Sequence, residues 1–245
     1  MAERIQTLVA ADRRLLLDIS HELRSPLARL GVAVELARSG EDREAALNRI
    51  QKESDRLNAL VGELLQVTRA EVDPNTLHRE PVRLDELLAD IVDDCSIETQ
   101  QRQISLRLDA PDAITVDGDE EMLRRAIENI IRNAIRYAPE KTAVEVALHP
   151  QGTMAAVQVR DYGPGVPEES LARIFDPFYR VEGDRNRASG GVGLGLAIAR
   201  RAIELHDGKL TARNTLPGLL VEVELRKQAA AAEEAGAKPV PILRA

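Results

Sequence analysis

Ile19, Leu23, Leu27, Leu30 and Val34 recur in steps of four and three, which places them on one face of a helix. Ser39-Gly40 breaks that pattern, and Glu41-Asp42 can open a second helix. In it Leu47, Ile50, Ser54, Leu57, Val61, Leu64 and Thr68 step by three and four throughout, a heptad seam with two small polar interruptions. Asp73-Pro74 ends it, because the residue before a proline is pushed out of the helical region. Two antiparallel helices with so narrow a seam cannot hide their apolar surface alone. Pairing two copies into a four-helix bundle does hide it, so a homodimer is expected. Residues 1–17 read as a helix already under way with no N-cap, which predicts that the chain continues a longer protein.

From about residue 80 the periodicity becomes mixed. Leu84 to Gln101 reads as a helix, 104–108 as a strand, 114–116 as a second strand, and Asp119 to Tyr137 as a strongly periodic helix. Residues 144–148 and 156–159 form an antiparallel pair around Gln151-Gly152. A short helix over 170–175, a Gly-rich loop and a helix over 194–206 follow. A closing hairpin then joins 210–213 to 219–225 across Pro217-Gly218. Runs of this kind predict an α+β sandwich with helices over one face of a mixed sheet. From about Gln228 the chain turns Ala/Glu-rich with two prolines, the pattern of a fraying tail.

Composition narrows the picture. The 245 residues suffice for two modest domains. With 33 Lys+Arg against 41 Asp+Glu, the net charge of −8 argues against general binding to nucleic acid or an anionic membrane. The single cysteine, Cys95, excludes an intrachain disulfide and a thiolate zinc cluster, and fits a reducing, cytoplasmic setting. No apolar run approaches the roughly 18 residues of a membrane span. The five aromatics lie between Tyr137 and Tyr179, so the first hundred residues pack with aliphatic side chains alone, as helical bundles do.

Candidate chemistry starts at His21, within Asp18–Pro26. Ile19 and Leu23 flank it on the apolar seam, and a two-residue step is about 200° around a helix, so the imidazole points into solvent. A neutral imidazole with a pKa near ~6.5 is a usable nucleophile. Glu22 beside it can accept a ring proton, and Pro26 should bend the helix just beyond. Taken alone, such a histidine is a solvated surface side chain.

Four further segments are each weak alone. The helix through Tyr137 puts Asn129, Asn133, Arg136 and Tyr137 on one side, with Leu123, Ile127, Ile130, Ile131 and Ala134 toward the sheet. Amide oxygens suit Mg²⁺, although a polar helix face explains them as well. Asp161 directly follows a strand in Asp-Tyr-Gly-Pro-Gly. Its carboxylate can take an adenine amino group, and Gly163 and Gly165 permit close backbone approach, or the segment is a simple turn. Arg180, after Phe175 and Phe178, can hold a phosphate or close an aromatic corner. Gly190, Gly191, Gly193 and Gly195 precede a helix whose N-terminus can bind phosphate. They lack the Gly-Lys-Ser/Thr of a P-loop and do not follow a strand as a Rossmann turn does. A hinge is the plain alternative for them.

Asp-Ile-Ser-His-Glu-Leu-Arg-Ser-Pro-Leu resembles the H-box of sensor histidine kinases. The four later segments, in their order and spacing, resemble the N, G1, F and G2 boxes of the same family's catalytic domain, which shares the ATP-binding fold of Hsp90, gyrase and MutL. The resemblance covers roughly residues 10–228 and is strongest to Cpx-type envelope sensor kinases. It implies that His21 is the phosphoacceptor, that Glu22 is its general base, and that Glu22 with Ser25 matches the motif that positions water for phosphatase activity; many family members carry Thr where Ser25 stands. It further implies that Asn133 binds Mg²⁺, Asn129 lies near metal and phosphate, Arg136 contacts phosphate, Tyr137 lines the nucleotide and Asp161 holds adenine. Gly163, Gly165, Gly191, Gly193 and Gly195 match the boxes' glycines.

The expected architecture is thus an all-α hairpin forming a dimeric four-helix bundle, followed by an α+β sandwich of the Hsp90/gyrase/histidine-kinase type. Residues 1–11 end a membrane-proximal signalling helix, 12–73 form the dimerisation and phosphotransfer domain, and 74–81 a linker. Residues 82–228 form the ATP-binding domain and 229–245 a tail. The expected cofactors are ATP and Mg²⁺. The expected partners are a second copy and a cognate response regulator, with a membrane reached only through a segment absent from this chain, on the cytoplasmic side of the bacterial inner membrane. Two rivals are a module that mainly dephosphorylates its regulator and an Hsp90-type ATPase clamp. The clamp leaves the histidine helix unexplained, and Asn129 stands where those ATPases carry a catalytic Glu.

Overall fold

The computed structural model describes residues 23–40, 42–69, 77–181 and 193–228. Helix α1 runs over 23–39 and α2 over Arg43–Arg69, a hairpin turning through Gly40 at a positive φ. The expected seam is only partly inside. Leu23, Leu30, Val34, Ile50 and Leu57 of it are half-buried and Leu27, Leu47 and Val61 remain 54%, 52% and 47% exposed, while the buried Ala33, Ala46 and Leu60 lie off the seam.

The second half is a two-layer sandwich. Its strands are β1 (Glu80–Arg83), β2 (Ser105–Asp109), β3 (Thr115–Gly118), β4 (Ala143–Gln151), β5 (Met154–Arg160), β6 (Lys209–Asn214) and β7 (Leu219–Arg226). Its helices are α3 (Leu84–Asp94), α4 (Ser96–Gln101), α5 (Glu120–Tyr137) and α6 (Gly195–Leu205). Five strands form one sheet in the order β2-β4-β5-β7-β6, while β1 pairs with β3 apart from it. Only β2–β4 is parallel in the large sheet, so the sheet is mixed as expected. Alternation in the register decides its faces. Val144, Val146 and Leu148 of β4 and Ala155, Val157 and Val159 of β5 point inward and meet α3, α5 and α6.

Helix α5 shows why this sequence makes this element. The Asp119 side chain accepts the Met122 amide at 3.0 Å and caps the helix, Glu120 and Glu121 occupy the positive first turn, and Arg136 the negative last one. Ala138 is extended ahead of Pro139, which stops the helix. Leu123, Ala126, Ile127, Ile130, Ile131, Ala134 and Ile135 are buried against the sheet. Each large aliphatic among them contributes about 1.5–3 kcal/mol.

Three elements differ from expectation. The helix expected over 84–101 is broken at buried Cys95, where the Thr99 hydroxyl bonds back to the Ser96 carbonyl. The short helix expected over 170–175 is a 3₁₀ turn at Glu168–Ser170 followed by turns, because Pro167 and Pro177 bracket a stretch too short for an α-helix. Strand β1 was not anticipated.

Candidate nucleotide site

Asp161 sits just past β5 and is 4% exposed. Its Oδ1 accepts two backbone amides, Gly163 at 2.7 Å and Leu219 at 3.3 Å, while its own amide donates to the Leu219 carbonyl at 3.0 Å. Burial pushes its carboxyl pKa up, and the two amides and Arg160 act against that. Both amides fall on Oδ1, which leaves Oδ2 with no protein partner among the described residues. A carboxylate oxygen so placed can accept a ligand N–H and nothing that is only an acceptor.

The glycines around it are set by close approach. A Cβ on Gly163 would lie 2.6 Å from the Tyr137 carbonyl oxygen, so the Asp161 loop rests directly on the C-terminal end of α5. Gly218, at φ +101°, has no room for a Cβ against the Asp161 carbonyl. Gly165, at φ +72°, faces Asn214, whose amide brackets Val166 by accepting its N–H at 2.9 Å and donating to its carbonyl at 2.6 Å. The tip of the β6–β7 hairpin and the end of α5 therefore hold Asp161 from two sides. Leu219, Gly218 and Asn214 were missed by the sequence reading. Leu219 works through its backbone amide and carries no side-chain signal, and Pro217-Gly218 reads only as a turn.

Along α5, Asn129 meets the start of α6, where a Cβ on Gly195 would lie 3.2 Å from its Oδ1. Asn133 follows one turn later and is half-buried. Arg136 lies a turn beyond, 5.8 Å from the Tyr137 ring centroid, with Nε and Nη2 buried and unpaired among the described residues. Buried guanidinium N–H groups without an acceptor are costly, and an anion is the ligand that satisfies them. Arg180 is half-buried beyond Phe178. Phe178 holds a positive φ of 61°, rare for an aromatic, and its amide donates to the Gly193 carbonyl at 2.9 Å. A Cβ on Gly193, which holds φ +85°, would lie 3.0 Å from backbone atoms of Phe178 and Tyr179, so residues 178 and 193 clasp each other closely. Gly191 lies outside the described residues.

On the hairpin, Ser25 is exposed on α1, and its hydroxyl accepts from Arg29 at 2.6 Å. His21 and Glu22 lie outside the described residues. The two halves touch through Leu60 of α2, packed with Leu194, Ile198, Leu23 and Phe178.

Two family models match the chain. The His Kinase A (phospho-acceptor) domain matches residues 11–72, and the histidine kinase-, DNA gyrase B-, and HSP90-like ATPase matches residues 118–229. Sensor histidine kinase CpxA of Escherichia coli (strain K12) is 39% identical over 229 residues, which cover 92% of this chain and 49% of that protein. The chain thus spans about half the length of that relative. The crystal structure of full-length ShkA in complex with AMPPNP is 27% identical, with a TM-score of 0.66, covering 89% of this chain and 47% of that one. Histidine kinase ThkA, in complex with response regulator protein TrrA, has a TM-score of 0.76 at 22% identity over 93% of this chain and 64% of that one, a likeness of fold.

Proposed function

The chain belongs to the sensor histidine kinases of two-component systems, and on that premise we propose that it phosphorylates its own His21 with Mg-ATP and passes the phosphoryl group to an aspartate of a response regulator. The observation that carries the nucleotide half is the Asp161 carboxylate. Two amides on Oδ1 fix its orientation and leave Oδ2 to accept an adenine amino group, whereas a guanine carbonyl there would meet another acceptor. Gly163 and Gly165, packed without a Cβ against Tyr137 and Asn214, hold the Asp161 loop in place beneath the base, and Tyr137 lines it.

The residues suit a triphosphate as well. Arg136 has buried N–H groups lacking an acceptor, and Gly195 lets Asn129 approach the first turn of α6, whose N-terminus can bind an anion. Arg180 and Gly191, with Gly193 at the clasp, belong to the loop that covers the phosphates in this reading. Asn133, with its amide oxygen, is the residue to hold Mg²⁺, which supplies charge neutralisation along the triphosphate. In the reaction a His21 ring nitrogen attacks the γ-phosphorus in line, the bond from phosphorus to the ADP oxygen breaks, and Glu22 accepts the proton released by the ring.

In the same proposal residues 12–73 are the dimerisation and phosphotransfer domain, 82–228 the catalytic domain and 74–81 their linker. Leu27, Leu47 and Val61, apolar and exposed on one hairpin, support a homodimer that completes a four-helix bundle. Among the described residues no helix is long and apolar enough to cross a membrane. In the same proposal the chain works on the cytoplasmic face of a bacterial inner membrane.

The test incubates the chain with ATP labelled at the γ-phosphate, alongside His21→Ala and Asn133→Ala. Label on the unsubstituted chain alone, lost in acid and kept in base, is expected. Label persisting in His21→Ala would place the acceptor elsewhere and end the reading. A second activity, hydrolysis of the regulator's aspartyl phosphate, is favoured by the Ser25 hydroxyl. It follows His21 by four residues, the spacing of one helix face, and is held by a hydrogen bond from Arg29.

A further inference from the structure

Arg29 does more than touch Ser25. While its Nη1 donates to Ser25 Oγ at 2.6 Å, its Nε and Nη2 donate to the two carboxylate oxygens of Glu53 at 2.8 and 2.9 Å. The three side chains form a relay that starts on α2, crosses the hairpin through a bidentate fork, and ends on the hydroxyl of α1. The fork is geometrically demanding, since both carboxylate oxygens must lie in the guanidinium plane. The hydrogen bond from Arg29 foremost, helped by the positive charges of Arg29, Arg56 and Lys52, holds the Glu53 carboxyl below its usual range against the opposing effect of burial. Glu53 is therefore ionised at neutral pH and keeps its grip on Arg29.

We propose that Glu53 and Arg29 are positioning residues for the phosphatase reaction. They fix the Ser25 hydroxyl in one rotamer, and they do so only in the helix register that brings α1 and α2 together as seen. The proposal rests on the phosphatase reading above. In that reaction water oxygen bonds to the phosphorus of the regulator's aspartyl phosphate, and the bond from phosphorus to the carboxyl oxygen breaks. Aspartate leaves as carboxylate and the water protons stay with the inorganic phosphate. Ser25 neither gains nor loses a proton overall. It contributes by orienting the water, and a hydroxyl free to rotate orients poorly. With one lone pair committed to Arg29, Ser25 keeps its O–H and a second lone pair for that water. Because Glu53 lies on the other helix, a rotation or slide of α1 against α2 breaks the fork and frees the hydroxyl. The phosphatase activity is thereby tied to hairpin geometry in a way that nucleotide binding, held in the sandwich, is not.

The test uses the whole chain. From a panel of purified receiver domains, the one that accepts the phosphoryl group fastest from the phosphorylated chain is chosen as probe and phosphorylated with acetyl phosphate. Its dephosphorylation is then followed for the unsubstituted chain, Glu53→Gln, and the charge exchange Arg29→Glu with Glu53→Arg. The exchange keeps an ion pair between the helices but removes the cation from Ser25. The expected result is a fall in kcat of at least tenfold in both variants, with KM for the receiver domain within threefold and an unchanged thermal midpoint for the exchange. If the pair served only to staple the hairpin, the exchange would restore full dephosphorylation, and that result overturns the proposal alone. Absence of dephosphorylation by the unsubstituted chain overturns the phosphatase reading and the proposal with it.

Discussion

Asp161 Oδ1 accepts the amides of Gly163 and Leu219, so an Asp161→Asn change keeps those contacts while turning the remaining oxygen from an acceptor into a donor. The variant is expected to fold with a thermal midpoint close to that of the parent. A hydrogen bond to a charged group contributes about 1.5–3 kcal/mol, so ATP affinity should fall roughly 10- to 100-fold by titration calorimetry. Unchanged affinity would remove Asp161 from the base-binding role. His206, which the sequence reading passed over, acts purely on stability. Its buried ring donates from Nδ1 to the Ala202 carbonyl at 2.7 Å, and its Nε2 accepts the Asp119 amide at 2.9 Å, locking the neutral form between α6 and the cap of α5. Burial foremost, with the positive charge of Arg79, lowers its pKa, against the bond to Ala202 and the charges of Asp119 and Asp207. The folded state then binds this proton more weakly than the unfolded chain. The stability it contributes is complete above the ordinary value of 6.5 and is lost as pH falls below it. Thermal melts should show a smaller drop between pH 7.5 and 5.5 for His206→Gln than for the parent, together with a lower midpoint at pH 7.5.

Helix α5 divides its labour between two faces. Ile131→Ala empties a fully buried site and should cost about 2–5 kcal/mol of unfolding free energy in denaturant melts. Asn133→Ala, half-buried on the opposite side, should leave that free energy within about 1 kcal/mol while removing Mg-dependent nucleotide binding. If both variants lost stability alike, the polar face would be structural. This two-faced pattern is why α5 was legible in the sequence: 3.6-residue periodicity, a capping Asp119 and a terminating Pro139 all agree. The β4–β5 and β6–β7 hairpins were legible for a like reason, since alternation and Gly turns fix their register. Elements failed where local signals competed. Pro81 in a four-residue run hid β1, and a proline is tolerated there because β1 is an edge strand paired only with β3. Cys95 and Ser96 gave no sign of the break between α3 and α4. Of the candidate site, Asp161 and the glycines could be singled out because residue type suggests the chemistry proposed for them. Leu219 could not, because only its backbone acts, and neither could the Arg29–Glu53 fork, whose 24-residue separation no local pattern encodes.

On the scale of the whole molecule, two apolar surfaces bear on the associations proposed above. Leu27, Leu47 and Val61 are apolar positions that the hairpin's own fold leaves in water, and the proposed second copy would cover them. Leu47→Glu combined with Val61→Glu places charge in that seam, and light scattering should report a mass falling from two chains to one at micromolar concentration. Leu60 is a different surface. Although it neighbours Val61, it is 1% exposed because it packs on Leu194 and Ile198 of the sandwich, with Leu23 and Phe178 at the edge. This small cluster joins α2 to both segments that clasp at residues 178 and 193, and it reaches α1 two residues beyond His21. So few side chains make a weak bond between halves, of the size that domain motion can break repeatedly. Leu60→Asp buries a charge against Leu194 if the halves stay docked, and the charge is far cheaper in water. The halves should therefore separate. Small-angle scattering is expected to show a larger radius of gyration for Leu60→Asp, with an ATP dissociation constant within twofold of the parent, because Asp161 and its supports lie wholly in the sandwich. An unchanged radius with weakened ATP binding would mean that the cluster shapes the nucleotide site rather than docking one half on the other.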